Sequence, residues 1–278
     1  LKALNNLSYI QANDGSISIG ATTPLADIIA SDLIQTEAAA LSKACEKVGA
    51  VSLQHYRGTI GGNVLQNNRC HHYNQSRFHR SGRQACHKAG GKICYARDEA
   101  DRCYSTCQSD GATALMALGA KLVLVSKGND RTVDLADFYT NDGIVPFAME
   151  SHELLKEIII PVKGGSSAYQ RLAYRSAIDY PIVCAGVLLG VTDDKIDKAR
   201  IVVGAMGRSP LFLSQASSSL SGKDLTDYKA FKAAAYQAMG SAAPFAVHNV
   251  GSTLEYRQAM VEKMVFRALN QAASAVIA

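Results

Sequence analysis

The chain has 278 residues, 47% of them apolar, and carries a formal net charge of +5. That length suits one large or two smaller globular domains with ordinary cores. It contains neither a run of about 18 apolar residues nor a basic-then-apolar leader, so no membrane span or signal peptide is expected, and a cytoplasmic protein is.

The opening, Leu1 to Ile10, already reads as the interior of a domain, so the natural chain is expected to begin earlier. Residues 15–19 alternate in polarity, as a half-buried strand does. Thr23-Pro24 then starts a helix, with Thr23 its N-cap and Pro24 in the first turn, and Thr36 is expected to cap the next. Ala38, Leu41, Cys45 and Val48 form that helix's apolar face, with Cys45 a core thiol. In Arg57-Gly58-Thr59-Ile60-Gly61-Gly62-Asn63-Val64, three glycines within five residues let a backbone approach a ligand closely. Exposed amides there suit phosphate or the polar edge of a flavin, although a plain tight turn is the commoner use.

Residues 69–107 break the pattern. Five of seven cysteines and four of seven histidines fall here, and from Arg69 to Cys103 the local charge is +5. The rest of the chain is therefore near neutral, which argues against a general nucleic-acid surface. A polar stretch this long needs something to hold it in a compact domain. Cys70, Cys86, Cys94 and Cys103 lack the close pairs of a zinc ribbon. Four widely spaced thiolates suit an iron–sulfur cluster, whose own geometry sets the sulfur positions. A loop of reduced, unliganded thiols is the plainer alternative. An odd count and no sign of export argue against disulfides.

Ser109-Asp110 opens a helix that ends near Gly119; Asp110 is either its N-cap or aimed at a ligand. Strands follow at 121–125, 131–133 and 153–162. The small, flexible run 164–167 is the expected boundary between an N-terminal domain, 1–163, and a C-terminal domain, 166–278. In the latter, strands are read at 168–175, 183–192 and 199–204, with Asp193-Asp194 in a turn. Helices are read at 211–221, 226–240 and from 253, the last with a capping box of Ser252 and Glu255. Its core face is read as Tyr256, Met260, Met264 and Ala268, and the whole as an α+β chain.

Taken together, these residues resemble the flavin subunit of the molybdenum hydroxylases, the xanthine dehydrogenase and carbon monoxide dehydrogenase family. The resemblance rests on Gly58-Thr59-Ile60-Gly61-Gly62-Asn63, Ser109-Asp110, Glu153-Leu154-Leu155, Ile160-Pro161, 169–179, 204–210 and Tyr256-Arg257. It implies the second half of a PCMH-type FAD-binding domain followed by a CO-dehydrogenase-flavoprotein-like C-terminal domain. The family's first flavin motif, which binds pyrophosphate, would lie before Leu1. Thr59, Gly61, Gly62, Asn63, Asp110, Leu155 and Arg171 fall where the family meets FAD.

The insert narrows the resemblance. Arg69-Cys70, Tyr73-Asn74-Gln75-Ser76, Cys86, Cys94 and Arg102-Cys103 are similar to the insert of 4-hydroxybenzoyl-CoA reductase β subunits. That implies a [4Fe-4S] cluster on Cys70, Cys86, Cys94 and Cys103, with Cys107 a spare thiol. It also implies a molybdopterin-binding large subunit, a [2Fe-2S] small subunit and a donor such as ferredoxin, which the basic insert could dock. Electrons would then serve reductive removal of a phenolic hydroxyl from an aromatic CoA thioester. No residue here is assigned acid, base or nucleophile chemistry. A hydroxylase acting on another substrate, and a non-catalytic metal-binding scaffold, are the rival readings.

Overall fold

A computed structural model of the chain describes residues 5–162, 164–248 and 252–277. Two antiparallel sheets organise it. The first runs β1 (Ile10–Asn13), β2 (Ser16–Gly20), β5 (Leu154–Pro161), β3 (Lys121–Ser126) and β4 (Asn129–Asp134), in the spatial order β1-β2-β5-β3-β4. β5 therefore closes the sheet from far along the chain, with Ile17 opposite Ile160 and Ile19 opposite Ile158. These alternate residues point into one core with Leu25, Ile28, Leu41 and Ile60.

The second sheet is a meander, β6 (Ser166–Leu172), β7 (Val183–Thr192), β8 (Lys195–Gly204) and β9 (Leu211–Phe212). Asp193 and Asp194, at φ 51° and 61°, make the tight turn between β7 and β8. Helices Tyr228–Ala242 and Leu254–Ile277 cover this sheet and share its core.

The helix Asp110–Ala117 is the seam between the halves, and every one of its residues is buried. Gly186 and Gly204 let it lie against β7 and β8. A Cβ on Gly186 would sit 3.0 Å from the Thr113 carbonyl oxygen and 3.1 Å from the Ala117 Cβ. Close strand–helix approach is the reason these positions lack a side chain.

Several local expectations shift. Pro24, not Thr23, takes the N-cap position of helix Leu25–Ala30, and the Thr23 hydroxyl instead bonds the Tyr9 backbone. Thr36 lies inside helix Asp32–Glu37, which Ser31 caps, and Ala38 precedes helix Ala39–Glu46. Residues 211–212 pair with β8 as a strand, and only Ser214–Ser218 is helical there. A short apolar run does not distinguish strand from helix. In the last helix Thr253, not Ser252, accepts the capping bond from Tyr256 N, at 3.1 Å. Tyr256 faces solvent, and Arg257 takes the core face with Val261, Met264, Ala268 and Leu269. The Arg257 guanidinium, 1% exposed, donates to the carbonyls of Val247, Ile182 and Ala205.

Candidate functional site

Two turns meet at the head of the buried helix. Thr59 caps the short helix Ile60–Val64, its hydroxyl accepting from Gly62 N at 3.2 Å. Gly61 N donates to the Ala21 carbonyl at 2.9 Å, and a Cβ on Gly61 would lie 2.6 Å from that oxygen. The glycine thus seats the turn against the end of β2. Asn63 is buried, and its Oδ1 accepts from Ser109 Oγ at 2.8 Å and from Gly111 N at 3.0 Å. Ser109 Oγ in turn accepts from Ala112 N, so Ser109 is the N-cap and Asp110 the first helical residue.

Asp110 is 4% exposed, which would be costly for an unpaired carboxylate. Its Oδ1 accepts from the Tyr169 hydroxyl at 2.5 Å and lies 3.0 Å from Arg171 Nε. Burial still pushes the carboxyl up to about 6, against the opposing pull of Arg171 and Tyr169. Burial likewise holds the Tyr169 hydroxyl well above its usual range. Arg171 also donates to the Asp179 carbonyl, so one guanidinium ties Asp110 to the 173–181 loop.

A cleft of about 250 Å³ opens here, lined by Asn63, Gln66, Gln108, Asp110, Arg175 and Ile178 among others. Ile178 is 59% exposed at φ 54°, a left-handed backbone that a β-branched residue rarely adopts. Such strain collects at binding sites. Of the seven residues expected to meet a flavin, Asn63 and Asp110 line this cleft. Thr59, Gly61 and Gly62 shape the turn behind it, and Arg171 braces Asp110. Leu155 is 3% exposed in the core of the first sheet, packed with Ile158 and Ile160. Gln66, Gln108 and Tyr180 escaped sequence reading, because nothing local marks them as cleft residues.

The insert folds as turns, a short helix Arg77–Ser81 and a single helical turn His87–Ala89. Its course brings Cys70, Cys86, Cys94 and Cys103 to the wall of one small cavity, with His72, His87 and Lys88. Cys107 is elsewhere, buried in the core of the first sheet. Among the described residues, no three His, Cys, Asp or Glu side chains gather so as to hold a metal ion. Burial pushes the Cys70 and Cys103 thiols up, and neighbouring cysteines add to the push. Such crowded thiols ionise readily only beside a cation. Lys88 supplies one, and its Nζ donates to Asn67 Oδ1, Asn68 O and Gly143 O at 2.9, 2.9 and 2.6 Å.

The two sites are neighbours along the chain. Gln66 lines the cleft, and Asn67 and Asn68 hold the lysine of the cysteine cavity. A larger cavity, about 420 Å³, lies between Tyr139, Asn141 and the 209–215 segment and shares no residue with either.

Residues 1–163 match the family model described as the FAD binding domain in molybdopterin dehydrogenase. The chain belongs to that family. Residues 167–272 match the CO dehydrogenase flavoprotein C-terminal domain, so this family member carries both domains of an α+β flavoprotein. It is 28% identical over 230 residues to the nicotinate dehydrogenase FAD-subunit of Eubacterium barkeri, covering 81% of this chain and 64% of that one. It is 31% identical over 166 residues to the carbon monoxide dehydrogenase medium chain of Afipia carboxidovorans, covering 59% and 56%. Matches therefore span less than two thirds of these relatives. In fold it resembles the reconstituted CO dehydrogenase from Oligotropha carboxidovorans, with a TM-score of 0.77 and 24% identity, over 99% of this chain and 81% of that one. No described helix is long and apolar enough to cross a membrane.

The cleft fits part of the flavin that the family implies. The cleft offers a buried carboxylate, amides and an apolar rim, as a flavin ring and its polar chain require. At about 250 Å³ it takes part of an FAD molecule rather than all of it. Four thiols line one cavity wall, the number a cubane cluster takes, but they do not gather as a metal site among the described residues.

Proposed function

We propose that this chain is the electron-transfer subunit of a molybdenum-containing oxidoreductase, with FAD in the cleft and a [4Fe-4S] cluster on Cys70, Cys86, Cys94 and Cys103. The observation that carries the reading is the placement of those four cysteines on one cavity wall, with Cys70 four residues along the chain from Gln66 of the cleft. Bound, the two groups would carry electrons between an external donor such as ferredoxin and partner subunits bearing [2Fe-2S] centres and molybdopterin. This chain's own residues hold and tune them. Asn63 and Asp110 would orient the flavin, Arg171 and Tyr169 would fix Asp110, and Lys88 would offset cluster charge. The insert supports 4-hydroxybenzoyl-CoA reductase-like dehydroxylation as the reaction served, in a cytoplasmic hetero-oligomer.

A second reading has a specific observation behind it. The relatives are named dehydrogenases of nicotinate and carbon monoxide. The same chain could accept electrons from a hydroxylase reaction on another substrate and pass them out through FAD.

The test is anaerobic purification of the complex, with iron, acid-labile sulfide, zinc and flavin counted per chain and EPR recorded after reduction. About four irons and four sulfides beyond those of the [2Fe-2S] subunit, with FAD, are expected. Zinc without sulfide would sink the cluster assignment. Reduction by the aromatic substrate in place of an external donor would favour the second reading.

A further inference from the structure

The last helix, Leu254–Ile277, buries a guanidinium on its core face. Arg257 forms no ion pair with a carboxylate among the described residues. Burial pulls it down to about 10, while Tyr174 pulls the other way, so it stays charged at neutral pH. A charge buried against neutral groups alone does less for a core than a well-packed apolar side chain of similar size. Helix packing therefore does not account for Arg257. Its donors do, because a planar fork reaches carbonyls that approach from different sides. Nη1 donates to the Val247 carbonyl at 2.5 Å, and Nη2 to the Ile182 carbonyl at 3.4 Å and to the Ala205 carbonyl.

Each of those carbonyls belongs to a segment with a separate task. Ile182 N donates to the Leu172 carbonyl at 2.8 Å and so closes the 173–181 loop, which supplies Arg175, Ile178, Asp179 and Tyr180 to the flavin cleft. Ala205, at φ 63°, opens the turn whose Gly207 carbonyl accepts from Cys107 N and whose Arg208 lies over the Tyr104 ring. A left-handed residue with a Cβ persists only where its surroundings hold it, and Arg257 is one such hold. Val247 adjoins His248, whose amide donates to the Ala96 carbonyl. One side chain thus touches the rim of the cleft and two places where the insert rests on the second domain. We propose that Arg257 is a positioning residue, which fixes the 173–181 rim of the cleft relative to the seat of the insert. Its effect on the cofactor rests on the flavin reading; its effect on the three segments does not.

The purified complex, with its partner subunits, tests this through Arg257→Met, Arg257→Lys and the control Leu269→Ala. Leu269 is fully buried farther along the same helix, about 18 Å from Arg257 along the axis. Hydrogen exchange is read by mass spectrometry, stability by urea midpoint, and flavin affinity by FAD titration of the deflavinated complex. Arg257→Met should quicken exchange at 173–182, 205–208 and 244–248 at least tenfold and weaken FAD binding at least fivefold. Arg257→Lys, which keeps the charge and three donors, should recover part of both. Leu269→Ala should lower the urea midpoint yet leave FAD affinity within twofold of native. If Arg257→Met does not fold, Arg257→Lys carries the test, with exchange quickened most at Ile182, whose bond is the longest of the three. Losses in the Arg257 variants no larger than in Leu269→Ala overturn the inference, as does quickening of the helix without the three segments. A native complex that takes up no FAD would instead count against the flavin reading, and the exchange data would still judge Arg257.

Discussion

Gly143 has no room for a side chain. Its amide donates to the Cys103 carbonyl at 3.0 Å, and its carbonyl accepts from Lys88. A Cβ there would lie 2.7 Å from Cys103 Sγ and 2.9 Å from the Cys103 carbonyl oxygen. Gly143→Ala should therefore displace one proposed cluster ligand, lowering iron per chain at least twofold while flavin content holds; unchanged iron would remove Cys103 from the ligand set. Asp110 gives a second residue-level prediction. Its carboxyl, raised from 3.8 to about 6, holds its proton more tightly in the native state than in the unfolded one. Its contribution to stability is then greatest below about pH 4, falls as pH rises toward 6, and is level above that. For flavin-free protein, urea midpoints at pH 4, 5 and 6.5 should show this decline, and Asp110→Asn should flatten it. An equally steep decline in the variant would assign the titration to another group.

At the scale of elements, the insert's short helix Arg77–Ser81 carries the most exposed aromatic of the described residues, Phe78, at 89%. Arg77, His79 and Arg80 flank it on a surface otherwise rich in Arg and Lys. An apolar anchor ringed by cations suits an acidic electron-carrying protein. Phe78→Ser should raise KM for reduction by ferredoxin about fivefold to thirtyfold with kcat unchanged, on the roughly 1–2 kcal/mol scale of an interface residue. An unchanged KM, or a rate indifferent to salt, would place the docking face elsewhere. How much of this could be read from sequence depends on the range of the interactions. The alternating strands and the Ser109-Asp110 helix start were legible because periodicity and capping are local. Caps slipped by a residue or more at Thr23, Thr36 and Ser252, where neighbouring hydroxyls or a proline compete for the same role. The cleft was only half legible. Asp110 and Arg171 are 61 positions apart, and no local pattern reveals that the guanidinium is spent bracing the carboxylate. Nor could Gln66 and Gln108 be found before the insert closed between them.

In the whole molecule the insert is a clamp across both halves. It leaves the first sheet's domain after Gln66, wraps the cysteine cavity and then rests on the second domain. Cys107 N donates to the Gly207 carbonyl at 2.9 Å, His248 N to the Ala96 carbonyl at 2.9 Å, and Arg97 to the Pro244 carbonyl at 2.7 Å. Tyr104 joins these contacts, with Arg97 from the insert 4.8 Å and Arg208 from the second domain 4.1 Å from its ring centroid. Each cation over an aromatic face contributes about 0.5–2 kcal/mol, more as water is excluded. The ring, not the hydroxyl, makes these contacts. Tyr104→Phe should therefore retain stability, whereas Tyr104→Ala should lose about 1–3 kcal/mol. The loss should also be local. Hydrogen exchange should quicken at 96–104 and 244–248 in the alanine variant, while the Asp110 helix between the two sheets keeps its protection. Uniform quickening throughout would mean that the insert is part of one cooperative unit with both domains. No quickening would mean that the backbone bonds at Cys107 and His248 hold it without the aromatic contact.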